Sequence, residues 1–250
     1  MKPTPRFALQ SAPDLRGTAR IAREEAHHMR DVMRLERGDA VTLIDQDGRS
    51  YWGTISGYDR EGALVQIVSS QPSRSRPPLI VAPAIIKGPR MDFVVEKAAE
   101  LAATELWPIV CARTVGRAPG REKTLRWQRL AAAAAKQSLA LPPIQVRDAV
   151  PFPTLIRSVP RDTLALICSA GAEPMTRLMG NETLGGLLIA AGPEGDFAPD
   201  ELERAIGAGF VAVGLGPNRL RSETAAIAAL ALAGQWLNSK AVWAAGKEDM

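Results

Sequence analysis

Cysteine and histidine are scarce: the 250-residue chain has two of each, Cys111 and Cys168, His27 and His28. The cysteines are far apart in sequence and lie in or beside apolar, strand-like runs, which points to buried free thiols rather than a disulfide or a metal site. The two histidines have no cysteine near them, so no zinc site and no other metal is expected. Uninterrupted apolar runs of membrane-spanning length are lacking, and Met1-Lys2-Pro3-Thr4-Pro5-Arg6 has no signal-peptide core; the expectation is a cytoplasmic protein with no membrane partner. Two nucleotide motifs are missing as well. Gly192 and Gly195, with Pro193 and Glu194 between them, do not make the dinucleotide pattern G-x-G-x-x-G, and no Lys-Ser/Thr pair follows to make a P-loop. A ligand here is not expected to be held by its phosphates, because Glu194 repels a pyrophosphate but accepts from a hydroxyl or amine, or sits well beside a cation.

What is present is a chain of 46% hydrophobic and 23% charged residues, the balance of a folded globular protein with material for one large domain or a small and a medium one. The formal net charge of +4 leans towards a polyanionic partner. Residues 113–129 carry Arg113, Arg117, Arg121, Lys123, Arg126 and Arg129 against the single acid Glu122, a cluster suited to phosphate contact. Arg16, Arg20, Arg23, Arg30, Arg34 and Arg37 are interleaved with Glu24, Glu25, Asp31 and Glu36, so a solvated face and an RNA surface both fit them. Arg34, Arg113, Arg117, Arg121 and Arg126 form the expected RNA-binding set.

Hydrophobic patterning divides the chain. A helix over 23–35 and strands over 40–45, 49–56 and 63–68, with an Asp47-Gly48 hairpin turn, predict a small β-rich module over 1–72. The stretch 69–78 is rich in Pro, Ser and Arg without periodicity, as linkers are. Beyond it, strands over 79–86, 105–111, 163–169, 187–191 and 210–215 alternate with helices over 90–103, 122–139, 199–207 and 222–238. That alternation predicts an α/β domain over 73–250 built on a parallel sheet. Pro83 cannot donate to a ladder, so the first of these strands should be at an edge, bulged or shorter. The helix from Ala225 is apolar on every side up to Ala233, which fits a core helix or, given its alanines, close packing in a dimer.

Two glycine turns say most about function. Gly192-Pro193-Glu194-Gly195-Asp196-Phe197 and Leu215-Gly216-Pro217-Asn218-Arg219-Leu220-Arg221-Ser222-Glu223-Thr224-Ala225 each follow an apolar run and precede helix-like sequence. Sharp turns at strand ends are where α/β proteins build ligand pockets.

These turns, with Glu25-Ala26-His27-His28, Val32-Met33-Arg34-Leu35, Gly38-Asp39, Lys87-Gly88, Met91-Asp92, Glu96-Lys97-Ala98-Ala99-Glu100-Leu101, Trp127 and Gln137-Ser138, make a chain that over nearly its full length resembles the ribosomal RNA small subunit methyltransferase E family, of the SPOUT class. The resemblance implies an N-terminal PUA-like β-barrel for RNA, a trefoil-knotted parallel-sheet domain, a homodimer, and S-adenosylmethionine-dependent methylation of uridine N3 in 16S ribosomal RNA. It implies a cofactor site of Ile189, Gly192, Pro193, Glu194, Gly195, Leu215, Gly216, Leu220, Arg221 and Thr224. Two positions depart from the family. Asp196 stands where a second glycine is usual, and Leu139-Ala140 replace an arginine after Gln137-Ser138.

Uridine N3 is a poor nucleophile until its proton leaves and charge spreads onto the ring carbonyls. Arg221, with its fixed guanidinium fork, is the candidate that stabilises this anion, and Glu223, Glu194 or solvent takes the proton. Arg221 and Glu223 are thus the candidate catalytic pair. Tyr51 and Trp52 fit base stacking on RNA, although core packing is the more common outcome for an aromatic on a barrel strand. Two other readings compete: a non-catalytic RNA-binding factor in ribosome assembly, and a SPOUT methyltransferase of another RNA target.

Overall fold

A computed structural model describes residues 4–72, 77–115, 118–180 and 184–248, with backbone alone for 238–248. The chain divides into two compact units, Met1–Ser75 with Ala135–Pro143, and Arg76–Ala134 with Ile144–Met250.

The first unit contains β1 (Arg6–Ala8), β2 (Thr18–Ala22), α1 (Arg23–His27), β3 (Ala40–Ile44), β4 (Ser50–Tyr58) and β5 (Gly62–Gln71). They form one sheet in the order β1-β3-β4-β5-β2, antiparallel except for the parallel β1–β3 pair. Period-two alternation turns Tyr51 and Ile55 of β4 inward to meet Phe7, Ile21, Leu43 and Val65. Tyr51 is therefore a core residue, its hydroxyl donating to Asp45 Oδ2 at 2.9 Å, while neighbouring Trp52 is half-buried. The turn expected at Asp47-Gly48 is there, held by Asp45 Oδ1, which accepts from the N–H of Asp47 at 3.0 Å and of Arg49 at 2.9 Å. β5 runs on to Gln71, so the first residues of the expected linker are strand.

The single helix expected over 23–35 is instead α1 followed by a π-helical turn, His28–Val32. Its closure explains the break: the N–H of Met33 reaches His28 O at 3.0 Å and that of Leu35 reaches Met29 O at 2.9 Å, while Arg34 adopts φ +56°. Arg34 fills the left-handed position that glycine commonly takes at a helix end.

The second unit contains β6 (Leu79–Pro83), α2 (Pro89–Glu100), β7 (Glu105–Leu106), β8 (Ile109–Val110), α3 (Arg121–Ser138, whose residues from Ala135 on belong to the first unit), β9 (Gln145–Val146), β10 (Val150–Pro151), α4 (Phe152–Arg157), β11 (Thr163–Cys168), β12 (Gly186–Ala191), α5 (Pro199–Gly207), β13 (Val211–Val213) and α6 (Ser222–Glu248). Six strands make a parallel sheet in the order β13-β11-β12-β6-β7-β9, and β8 pairs with β10 separately. Both β6 and β12 are buried along their whole length, which is why they read as continuous apolar runs rather than alternating ones. β6 lies inside the sheet, and of the three outcomes open to Pro83 the structure takes the shortened strand, which ends at Pro83. The strand expected over 105–111 splits in two around Trp107-Pro108, since Pro108 has no N–H to continue the ladder.

One core cluster joins Ile80, Ala82, Ala165, Ile167, Leu188 and Ala190 of the sheet to Phe152 and Leu155 of α4, Ala205 of α5, and Phe197. Each large apolar side chain buried there contributes roughly 1.5–3 kcal/mol. Helices α2 and α6 pack against each other, and α6 against β6 and β12. Ala226, Ala229, Leu230, Ala233 and Trp236 bury one face of α6, whereas Ile227, Ala228 and Leu232 are half-buried and Ala231 is exposed. Among the described residues, no helix is long and apolar enough to cross a membrane.

Candidate active site

The order of the parallel strands fixes where a pocket forms. From β6 the chain moves outward through β7 and β9; β11 starts on the other side, β12 returns between β11 and β6, and β13 goes outside β11. The connection leaving β12 thus runs back past β11 to β13, while that leaving its neighbour β6 runs the other way to β7, and a crevice opens beyond the carboxyl ends of the strands. A cavity of about 650 Å³ occupies it, lined by the loops after β11, β12 and β13, the start of α6, and Arg90 of α2.

The first glycine turn is held from several sides. The N–H of Asp196 reaches Pro193 O at 2.9 Å, and Asp196 Oδ1 accepts from the N–H of Phe197 at 2.8 Å. Asp196 has φ +63°, in the left-handed region that glycine adopts freely and that Asp tolerates better than most residues, which accounts for an acid replacing the usual glycine. A Cβ on Gly192 would come within 3.1 Å of the Phe197 ring, and that ring packs against Phe152 with centroids 4.9 Å apart. Arg113 donates from Nη1 to Gly195 O at 2.8 Å and to Phe197 O at 3.4 Å. Glu201, buried in the first turn of α5, accepts from the N–H of Ala112 at 2.8 Å and of Ala198 at 3.0 Å, so one carboxylate joins the loop after β8 to the start of the helix.

The second turn begins at Gly214, whose N–H reaches Glu173 O at 2.7 Å; a Cβ there would sit 2.3 Å from Ala172 O, so only glycine permits the contact. Gly216, at φ +117°, then redirects the chain towards α6.

Charge in the pocket is unevenly paired. Arg90 donates from Nη2 to Glu194 Oε1 at 2.8 Å, and its Nη1 lies 3.8 Å from Glu223 Oε2. Arg219 Nη2 approaches Glu194 O at 3.5 Å. Arg221 is exposed on the lining, with no ion pair among the described residues. Glu223 is 8% exposed, and its Oε2 has no hydrogen-bond partner among the described residues. Cys168 also lines the cavity; burial, with the Asp196 carboxylate adding to it, pushes its thiol up to about 12, so it stays protonated and apolar in character. Cys111 is likewise pushed up to about 12, by burial first and then by Glu201. Both are free thiols.

Of the residues expected at the cofactor, Gly192, Pro193, Glu194, Leu215, Gly216, Leu220 and Arg221 line the cavity. Three do not. Ile189 is wholly buried in β12 between Leu166 and Val81; Gly195 faces the Arg113 side chain; Thr224 is exposed on the first turn of α6, off the lining. Glu223 is near through Arg90 but is not itself on the lining. Arg90 and the loop Cys168-Ser169-Ala170-Gly171 were not anticipated. The loop carried a signal, an apolar strand ending in small residues and a glycine; Arg90 carried none.

The expected RNA-binding arginines separate. Arg113 clamps the first turn, and Arg126 donates to Asp92 at 2.9 and 2.7 Å, with Trp127 Nε1 on the same carboxylate at 2.8 Å. Both are committed within the fold. Arg121 and Arg34 are exposed, and Arg117 lies outside the described residues. His27 and His28 are exposed, His27 pairing with Asp31, and no cluster of metal-ligating side chains occurs among the described residues.

A switch-point pocket built from glycine turns on a parallel sheet, in a chain that also carries an N-terminal β unit, marks an RNA methyltransferase. The RNA methyltransferase domain family matches residues 73–234, and the RNA methyltransferase PUA domain family matches residues 21–68. The chain is 32% identical to ribosomal RNA small subunit methyltransferase E of Mycobacterium bovis, over 91% of its own length and 90% of that protein's. It is 27% identical to the Bacillus subtilis protein of the same name, over 85% and 88%. Among solved structures it is similar to the Neisseria gonorrhoeae ribosomal RNA small subunit methyltransferase E bound to S-adenosyl methionine, with TM-score 0.69, 28% identity and coverage of 92% and 96%. A probable rRNA methyltransferase of Porphyromonas gingivalis also has TM-score 0.69, at 31% identity over 94% and 98%. The chain belongs to the ribosomal RNA small subunit methyltransferase E family.

Proposed function

We propose that this protein methylates N3 of a uridine in 16S ribosomal RNA with S-adenosylmethionine, acting in the cytoplasm on the free RNA or the small subunit. Residues 1–72 form the PUA-like RNA-binding domain, and 73–250 the catalytic domain with a trefoil knot. The observation that carries this reading is the guanidinium of Arg221, exposed on the cavity lining and without an ion pair among the described residues, whereas the other two arginines of the lining, Arg90 and Arg219, reach Glu194. The donor set suits the cofactor: Val213, Leu215 and Leu220 offer apolar surface, glycine turns bring main-chain groups close, and the carboxylates of Glu194 and Asp196 stand as acceptors beside the arginines of the lining.

When bound, S-adenosylmethionine supplies an electrophilic methyl group on a sulfonium. The chain's own residues orient the acceptor and lower the cost of its anion. Arg221 donates to a uracil carbonyl oxygen as charge builds there; a donor of this kind contributes on the order of 10²–10³ in rate. Glu223 is the proposed proton acceptor: Glu194 already accepts from Arg90, whereas Glu223 Oε2 has no hydrogen-bond donor among the described residues. The half-exposed apolar face of α6, with Ile227, Ala231 and Leu232, supports a homodimer in which this face meets a second copy. Neither proposed step calls for a metal.

The test is calorimetry with S-adenosylmethionine, followed by nucleoside mass spectrometry of 16S RNA and small subunits from cells lacking the protein, after incubation with it. Binding and N3-methyluridine are expected. Absent binding would favour a non-catalytic assembly factor, and binding without uridine methylation another RNA target.

A further inference from the structure

Arg90 stands outside both glycine turns, and none of the chemistry above uses it. It sits at the second position of α2, behind Gly88 at φ +70° and Pro89, which fix the angle at which the helix starts. From there its guanidinium reaches two carboxylates that belong to different turns of the pocket. Glu194 Oε1 accepts from Nη2 at 2.8 Å, and Glu223 Oε2 lies 3.8 Å from Nη1. The second distance is beyond hydrogen-bond reach. No other cation pairs with either carboxylate among the described residues; Arg219 touches only the main-chain oxygen of Glu194.

One guanidinium thus serves two carboxylates, and Glu223 Oε2 has no hydrogen-bond partner among the described residues. Buried polar atoms are seldom left so, and the cation nearest to this one is the Arg90 guanidinium, 3.8 Å away. The positions of both carboxylates then depend on a single side chain. We propose that Arg90 is a positioning residue of the methyl-transfer site, which fixes Glu194 and Glu223 relative to each other and so ties the first glycine turn to the start of α6. The inference rests on the methyltransferase reading. Because a planar fork is needed to span two carboxylates, a lysine in its place holds one and releases the other.

Double-mutant cycles test it. If Arg90 acts through Glu194, R90A weakens S-adenosylmethionine binding about five- to tenfold in the wild-type background but about twofold or less beside E194Q. If it acts through Glu223, R90A lowers the single-turnover methylation rate about tenfold or more, and less than about threefold beside E223Q. Effects that simply multiply in both cycles would overturn the proposal, as would wild-type binding and rate in R90A. Should R90A fail to fold, R90K through the same cycles decides, with coupling expected in one cycle and lost in the other. If the wild-type protein binds cofactor but methylates no RNA, the methyltransferase reading falls and the binding cycle alone decides the role of Arg90; if it binds no cofactor, both fall.

Discussion

Arg113→Ala separates two roles that a cluster of arginines leaves confounded. In the fold, Arg113 holds the carbonyls of Gly195 and Phe197, and its stem covers Gly195 closely enough that a Cβ there would touch it at 3.4 Å. A hydrogen bond from a charged donor is worth about 1.5–3 kcal/mol. Arg113 is exposed, so solvent screening reduces this to about 1 kcal/mol. If the turn must be ordered to bind cofactor, that loss weakens S-adenosylmethionine binding by roughly fivefold, since about 1.4 kcal/mol is tenfold. RNA binding should behave differently: with Arg113 occupied by main-chain oxygens, the slope of log affinity against log salt should not change, whereas a phosphate contact would lower it by about 0.7–0.9. Calorimetry with the cofactor and RNA titrations at several salt concentrations measure both. Unchanged cofactor affinity with a flatter salt slope would refute the clamp and return Arg113 to the RNA surface.

Glu201→Ala leaves the N–H groups of Ala112 and Ala198 without their buried acceptor, at about 1–3 kcal/mol each, so the midpoint of thermal unfolding should drop by several degrees; an unchanged midpoint contradicts the assigned role. Asp92 gives a pH signature. Burial raises its carboxyl pKa, but hydrogen bonds from Arg126 and Trp127 outweigh this and hold it below the usual carboxylate range. A folded pKa below the unfolded one means that its contribution is complete above about pH 4 and is lost as pH falls through the lowered native value. Denaturant titrations should therefore show a shallower acid loss of stability in Asp92→Asn than in the wild-type protein, and parallel curves would count against the pairing.

How far the sequence could be read depended on whether a signal was local. The glycine turns were legible because Gly192, Gly195 and Gly216 each follow an apolar strand, and α5 because Pro199, Asp200 and Glu201 mark a helix start within three residues. The π-helical turn after α1 was not, since Arg34 carries no mark of the left-handed backbone it adopts. Pro108 did mark the break between β7 and β8, but the apolar residues on both sides masked it. Long-range pairings were invisible. Asp92 lies 34 residues before Arg126, so a basic cluster looked unpaired that in fact contains a bidentate ion pair. Arg90 and Glu194 are 104 positions apart, and only the parallel sheet brings them to one pocket. The same sheet keeps Ile189 off the cavity lining, because β12 is buried along its whole length.

The central claim is that Arg221 faces the base and not the cofactor. Arg221→Ala, with cofactor affinity and single-turnover methylation of 16S ribosomal RNA measured on the same preparation, tests it most directly. S-adenosylmethionine affinity within about twofold of wild type and a rate lower by a factor on the order of 10²–10³ are predicted. A wild-type rate, or a loss that lies wholly in cofactor binding, would contradict it.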